Sequence, residues 1–359
     1  MNIISEVRVD RLNEKGVFVA EQILNILHNT LPHNKKLSIH QAREKIPFAF
    51  EIMCIEGKVR FFISAPDEYM GIFENQIYAH FPNVEIARLE TPLIPNDVVT
   101  AGYELAKSYI APIKIYTNLK DRSEKETIDP LSSITSAVTK ATKDEFACMQ
   151  VVFSPIYDAS WKSERIVEIL TSHRPKWLKK LLVGQFGWVL EILTYPFKWL
   201  YFLIKLVAGV SSEETTEHTK PESEAGKIIL EKITPFGYAV TLRSAARGTD
   251  SLRSRMLIAE ISASLSILGR PDGNTIVRSK KDPLASDVIA RVNNGSLILN
   301  TAELAGLVHM PTIYVRTPGI NWVVTKKFEP PANLPTLDAS AIEHPEFGDT
   351  TPIGTTNFR

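Results

Sequence analysis

Residues Phe48–Ser64, FAFEIMCIEGKVRFFIS, hold two apolar runs on either side of Glu-Gly-Lys. Aromatic and β-branched residues at this density suit a pleated surface, and a short Gly-containing break between them signals a hairpin. Pro66-Asp67 then opens a helical pattern, with Tyr69, Ile72, Phe73, Ile77 and Phe81 on one stripe. Pro82-Asn83 ends it, and VEIARLE (84–90) reads as a further strand. Upstream, Val17, Ala20, Ile23, Leu24 and Leu27 recur at helical spacing. Hairpin, helix and strand make half of an α+β sandwich of the ferredoxin-like kind.

The pattern continues along the chain. YIAPIKIY (109–116) reads as a strand, DPLSSITSAVTKA (129–141) as a helix capped by Asp129, and Asp144–Ile156 as another strand. Further on, SEAGKIILEKI (223–233) is helical, FGYAVTLRSAA (236–246) a strand, residues 249–268 a long helix, and GNTIVRSK (273–280) strand-like. Asn300-Thr301 caps a short helix that Pro311 ends. Since one core rarely grows past about 250–300 residues, a chain of 359 predicts two lobes. The expected fold is α+β, with two ferredoxin-like or related lobes at 1–160 and 226–315. A helical insertion with an acidic tether fills 161–225. A Pro-rich linker, 316–359, follows an extended path over a surface.

The insertion contains the most unusual stretch, Lys176–Val210. Trp177, Trp188 and Trp199 recur every eleven residues, three helical turns plus about 20°, and so share one face. Lys180, Glu191, Lys198 and Lys205 follow an adjacent stripe, with Lys179 beside them. A transmembrane span needs about 20 apolar residues, whereas the longest uncharged run is Leu181–Leu190. Two other readings stay open. One is a helical hairpin, broken near Pro196, that packs on protein. The other is an interfacial helix pair, its tryptophans at headgroup depth and its lysines reaching toward anionic lipid. The Trp and Lys enrichment and the tether that follows, SSEETTEHTKPESEAG (211–226), lean toward the interfacial reading.

Signals of catalysis are missing. The chain has no GxxxxGK[ST], GxGxxG, HExxH or GxSxG pattern, and GRPDG (269–273) reads as a turn. His33, His40 and His309 suggest no metal site, and Cys54 and Cys148 read as two reduced, buried thiols. Forty-one basic and forty-one acidic side chains cancel, which gives no prior for nucleic acid. Charges within the first ten residues argue against a secretory signal. Arg243, Arg247, Arg253 and Arg255 form the best polar candidate, as a contact for a partner or a phosphate. The expectation is a chain that is no enzyme, needs no cofactor or metal and does not touch nucleic acid directly.

Several stretches carry a family likeness in order along the chain: SEVRVDRLNEKGVFVAEQILNILHNTL, ENQIYAHFPNVEI, IDPLSSI, LNTAELAGLVHMP, TPGINW, PPANLP and IGTTNFR. Together they resemble the N-terminal, pre-motor region of conjugative-transfer, type IV secretion-like proteins of candidate-phylum bacteria. In that family a segment similar to IGTTNFR precedes a HerA/FtsK-type motor ATPase. No position here matches the motor's nucleotide-binding residues. The resemblance implies a motor ATPase domain or subunit as partner and a homo-oligomer such as a ring; the Trp-rich insertion departs from the family, so the expected cytoplasmic position on the inner face of the cell membrane rests on the physics of that segment. The expected function is a non-catalytic assembly and membrane-docking module, docking through Trp177, Lys179, Lys180, Trp188, Lys198, Trp199 and Lys205. The alternative is a soluble interaction module whose Trp-rich hairpin binds a partner protein.

Overall fold

The computed structural model describes residues 2–30, 46–89, 93–118, 129–157, 228 and 231–323. The first elements run β1 (Asn2–Arg8), α1 (Val17–Thr30), β2 (Phe48–Ile55), β3 (Lys58–Pro66), α2 (Asp67–His80) and β4 (Glu85–Leu89). Their strands lie in the order β4-β1-β3-β2, all antiparallel. This is a β-α-β-β-α-β unit of the ferredoxin-like kind; its helices, hairpin and β4 were expected from the sequence, and its first strand β1 was not. The hairpin turns at Glu56 and Gly57, both in left-handed backbone (φ 53° and 72°), which matches the twist of the flanking strands.

A second unit of the same plan follows. It comprises β5 (Val99–Leu105), α3 (Leu131–Val138), β6 (Phe146–Ile156), β7 (Gly237–Arg247), α4 (Ser251–Ser264) and β8 (Ile276–Arg278). Its order, β8-β5-β7-β6, repeats that of the first unit. The second unit therefore begins at Val99 and includes strands within residues 1–160. The two units join edge to edge where β2 pairs β6, from Phe48 opposite Phe153 to Cys54 opposite Ala147. One nine-stranded antiparallel sheet results, the ninth strand β9 (Leu297–Asn300) pairing the first half of β7.

Among the described residues, the four helices of eight or more residues cover the same face. Leu24 and Ile23 of α1, Phe73 and Ile77 of α2, Ile134 of α3 and Leu257 and Ile261 of α4 share one core with Phe50, Ile52, Val151 and Leu242. A smaller cluster, Met53, Phe62, Phe146, Cys148 and Ala245, lies on the other face under Val288 of α5 (Ala285–Ile289). Burial on both faces accounts for the largely apolar sequence of β6, buried along its whole length and broken by the hydrogen-bonded Gln150 and Ser154. Cys54 and Cys148 are buried free thiols on opposite faces. Burial raises the Cys54 thiol to about 11 and also pushes the Cys148 thiol well above its ordinary value.

YIAPIKIY is not a strand. Pro112 lacks a ladder donor, and the carbonyls of Lys107, Ser108 and Ala111 accept from the Asn274 side chain, fixing the segment as a loop that ends in a 3-10 turn at Tyr116–Asn118. The strand of this region is VTAGYEL, β5. GRPDG is the turn expected, and Gly273 is required there because a Cβ would sit 2.2 Å from the Pro112 carbonyl oxygen.

After β9 comes α6 (Thr301–Ala305), and residues 306–323 then run along the helical layer as a strap. The strap ends at the β2–β3 turn, where Val59 donates to the Gly319 carbonyl (2.9 Å) and Asn321 donates back to Val59 (2.9 Å). Of the Pro-rich stretch expected to run extended over a surface, residues 317–323 are described, and they turn at Pro318-Gly319, where Gly319 is left-handed (φ 80°). Residues 324–359 lie outside the described residues.

Candidate functional site

The sheet has two poles. At one lies the tight β2–β3 turn, with the strap against it. At the other lies the matching hairpin of the second unit, where β6 and β7 pair from Phe146–Arg247 to Ile156–Gly237. There the chain leaves at Tyr157 and returns before β7, so the whole of Lys176–Val210 belongs to this connection. The connection's root is aromatic. His28, at the end of α1, stacks on Phe236 (centroids 4.2 Å apart, planes 16° apart) and lies 4.8 Å from the Tyr157 ring. His28 also approaches the Ile156 carbonyl at 3.2 Å, and Tyr238 donates to the Leu24 carbonyl at 2.6 Å. These contacts clamp both ends of the connection to α1. Trp177, Lys179, Lys180, Trp188, Lys198, Trp199 and Lys205 lie outside the described residues.

The four arginines are not brought together. Arg243 faces away from the helices and is wholly buried. It donates to Gln150 (2.6 Å) and to the Val292 carbonyl (2.7 Å). Gln150 in turn donates to Glu51, which also accepts from Arg291 at 2.8 Å. Burial holds the Arg243 guanidinium down to about 10, against the opposing pull of Glu51. Arg247 reaches Asp97 at 3.4 Å, and Arg253 pairs with Glu145 at 2.9 Å. Arg255 is exposed on α4. A guanidinium with no exposed surface cannot meet a phosphate from solution, so Arg243 is a cross-strand tie.

Two further buried pairs escaped sequence reasoning because their members lie far apart in the chain. His309 Nε2 lies 2.8 Å from Asp129, whose other oxygen accepts from Thr312 at 2.7 Å. The second ring nitrogen of His309 contacts the Ala305 carbonyl at 3.0 Å. Burial would raise the Asp129 carboxyl, but the charge and hydrogen bond of His309 and the bonds from Thr312 and the Leu131 amide outweigh it and hold it below the ordinary range. Lys232 pairs with Glu303, which also accepts from the Ile113 amide at 3.0 Å and the Asn300 amide at 2.8 Å.

The ring of His309 also borders a cavity of about 20 Å³ walled by Ala20, Ile23, Phe73 and Phe153. That is room for about one water, with an apolar wall that gives water no partners. Among the described residues, no three His, Cys, Asp or Glu side chains could hold a metal ion, and no helix is long and apolar enough to cross a membrane. These buried polar groups tie elements together.

A protein-family model matches residues 4–323, and its description is a domain of unknown function, DUF8128. No curated protein matches the chain.

Proposed function

The chain belongs to the DUF8128 family, and from that premise we propose that it is a non-catalytic assembly and membrane-docking module. The observation that carries this reading is the attachment of the tryptophan-bearing connection. It joins two strands held together over eleven residue pairs, so its two ends meet at one pole of the described sheet. A long insertion in a hairpin costs little in loop entropy, and its sequence is free to serve a contact elsewhere. Its tryptophans are spaced eleven residues apart, which on a helix would set them on one face with lysines alongside, a pattern suited to an anionic membrane surface. Peripheral attachment to the inner face of the cell membrane follows from this reading.

The motor ATPase partner and the homo-oligomer rest on the resemblance of the closing segments to pre-motor regions. Flotation with anionic vesicles tests the docking claim. The intact chain floats, and a chain lacking Lys176–Val210 stays at the bottom. If both remain in the dense fraction, docking on lipid is wrong and the tryptophan face belongs against protein.

A further inference from the structure

A group of large apolar side chains lies exposed at the strap pole. Leu12 is 65% exposed, Phe18 58%, Ile313 39% and Tyr314 47%. They come from two separate parts of the chain that the backbone holds side by side. Asn13 donates from its side chain to the Pro311 carbonyl at 2.8 Å, and Ile313 donates to the Asn13 carbonyl at 2.7 Å. Gly16 lies so close to Thr312 that a Cβ would come within 2.7 Å of its methyl. Single exposed apolar residues are ordinary, but four around one junction mark a contact surface.

We propose that this surface is the docking site for the chain's own segment Phe328–Leu337, FEPPANLPTL. Two observations select this occupant. The strap ends beside the surface, because Val323 donates to the Val9 carbonyl at 3.0 Å, three residues before Leu12. From Val323, five extended residues reach about 17 Å, enough to bring Phe328 onto the patch. The chemistry also matches. Pro330, Pro331 and Pro335 favour a polyproline path, and exposed aromatic rings such as Phe18 and Tyr314 are what proline-rich segments dock on. Phe328, Leu334 and Leu337 supply apolar anchors.

The docked segment extends the strap at the pole opposite the Tyr157–Gly237 opening. The two poles are separated by the length of the eleven-residue strands β6 and β7, about 36 Å. The inference does not depend on lipid binding and stands if flotation fails.

Photocrosslinking of the intact chain tests it, with Tyr314→p-benzoylphenylalanine as the probe in a mixture of isotope-labelled and unlabelled protein. The expected product links position 314 to a peptide within 324–359 of the same isotopic composition. The combined change Phe328→Ala and Leu334→Ala is expected to lower its yield. Links to a second copy, links only to other regions, or a yield indifferent to the double change would each overturn the assignment.

Discussion

Asp129 begins α3 by accepting the Leu131 amide at 2.9 Å, and the same carboxylate holds the strap through His309 and Thr312. The capping part was legible from DP before an apolar helical run. The clasp was not, since nothing local to Asp129 points to residues about 180 positions away. Asp129→Asn strands the buried imidazole and is expected to cost about 3–5 kcal/mol, the usual loss on breaking a buried pair, read as a lower urea midpoint. Acid has a related effect. Asp129 titrates below the ordinary carboxylate value of 3.8, and Glu145, bonded to Arg253, at about 2. Both are depressed on folding, so their stabilisation is full above the unfolded values and is lost as pH falls through the folded ones. Stability is therefore expected to decline between about pH 4.5 and about pH 2. Glu145→Gln should flatten part of that decline in urea titrations across this window, and an unchanged slope would contradict the pairing.

At the scale of elements, α6 is the clearest case of sequence writing structure. Asn300 accepts the Glu303 amide at 2.9 Å and Glu303 accepts the Asn300 amide, a capping box spelled NTAE. Asn300→Ala is expected to lose about 1 kcal/mol, whereas Glu303→Gln should lose more because it also leaves Lys232 buried beside a neutral partner. Thermal unfolding of the two variants checks the ranking. Other elements were hidden for physical reasons. YIAPIKIY has strand composition, yet Pro112 and the Asn274 side chain take it out of the ladder. β5 carries Gly102 and a mixed pattern, and β9 is only four residues long. Among the described residues, the strands that end the sheet's main path, β4 and β8, are short and carry Arg88 and Arg278, which discourages strand addition from a second copy. Any homo-oligomer is then expected to use a surface other than a sheet edge.

For the molecule as a whole, two units of one plan pair through β2 and β6, so corresponding hairpins point to opposite poles. The first hairpin turns in two residues and receives the strap; the second opens into the tryptophan-rich connection. The first ferredoxin-like pattern, and of the second only its last strand, helix and strand, could be anticipated from hairpin, helix and strand spacing, since residues 157–236 part the two strands of the second hairpin. The fusion of the two units into one sheet could not, because a one-chain pattern does not say which strand edges meet. The fusion has a consequence for cooperativity. The apolar core runs unbroken from Val7 in β1 to Leu257 in α4, crossing the β2–β6 seam, so neither unit can unfold without exposing the apolar surface of the other. Replacing residues 158–227 by a short Gly/Ser linker removes no described strand pairing and leaves the His28–Phe236 stack in place. The shortened chain is expected to unfold in one cooperative transition with a midpoint close to that of the intact chain. Calorimetry decides the point: one peak whose calorimetric and van't Hoff enthalpies agree supports a single cooperative sheet. Two resolved peaks would mean that the seam between the units yields before the rest.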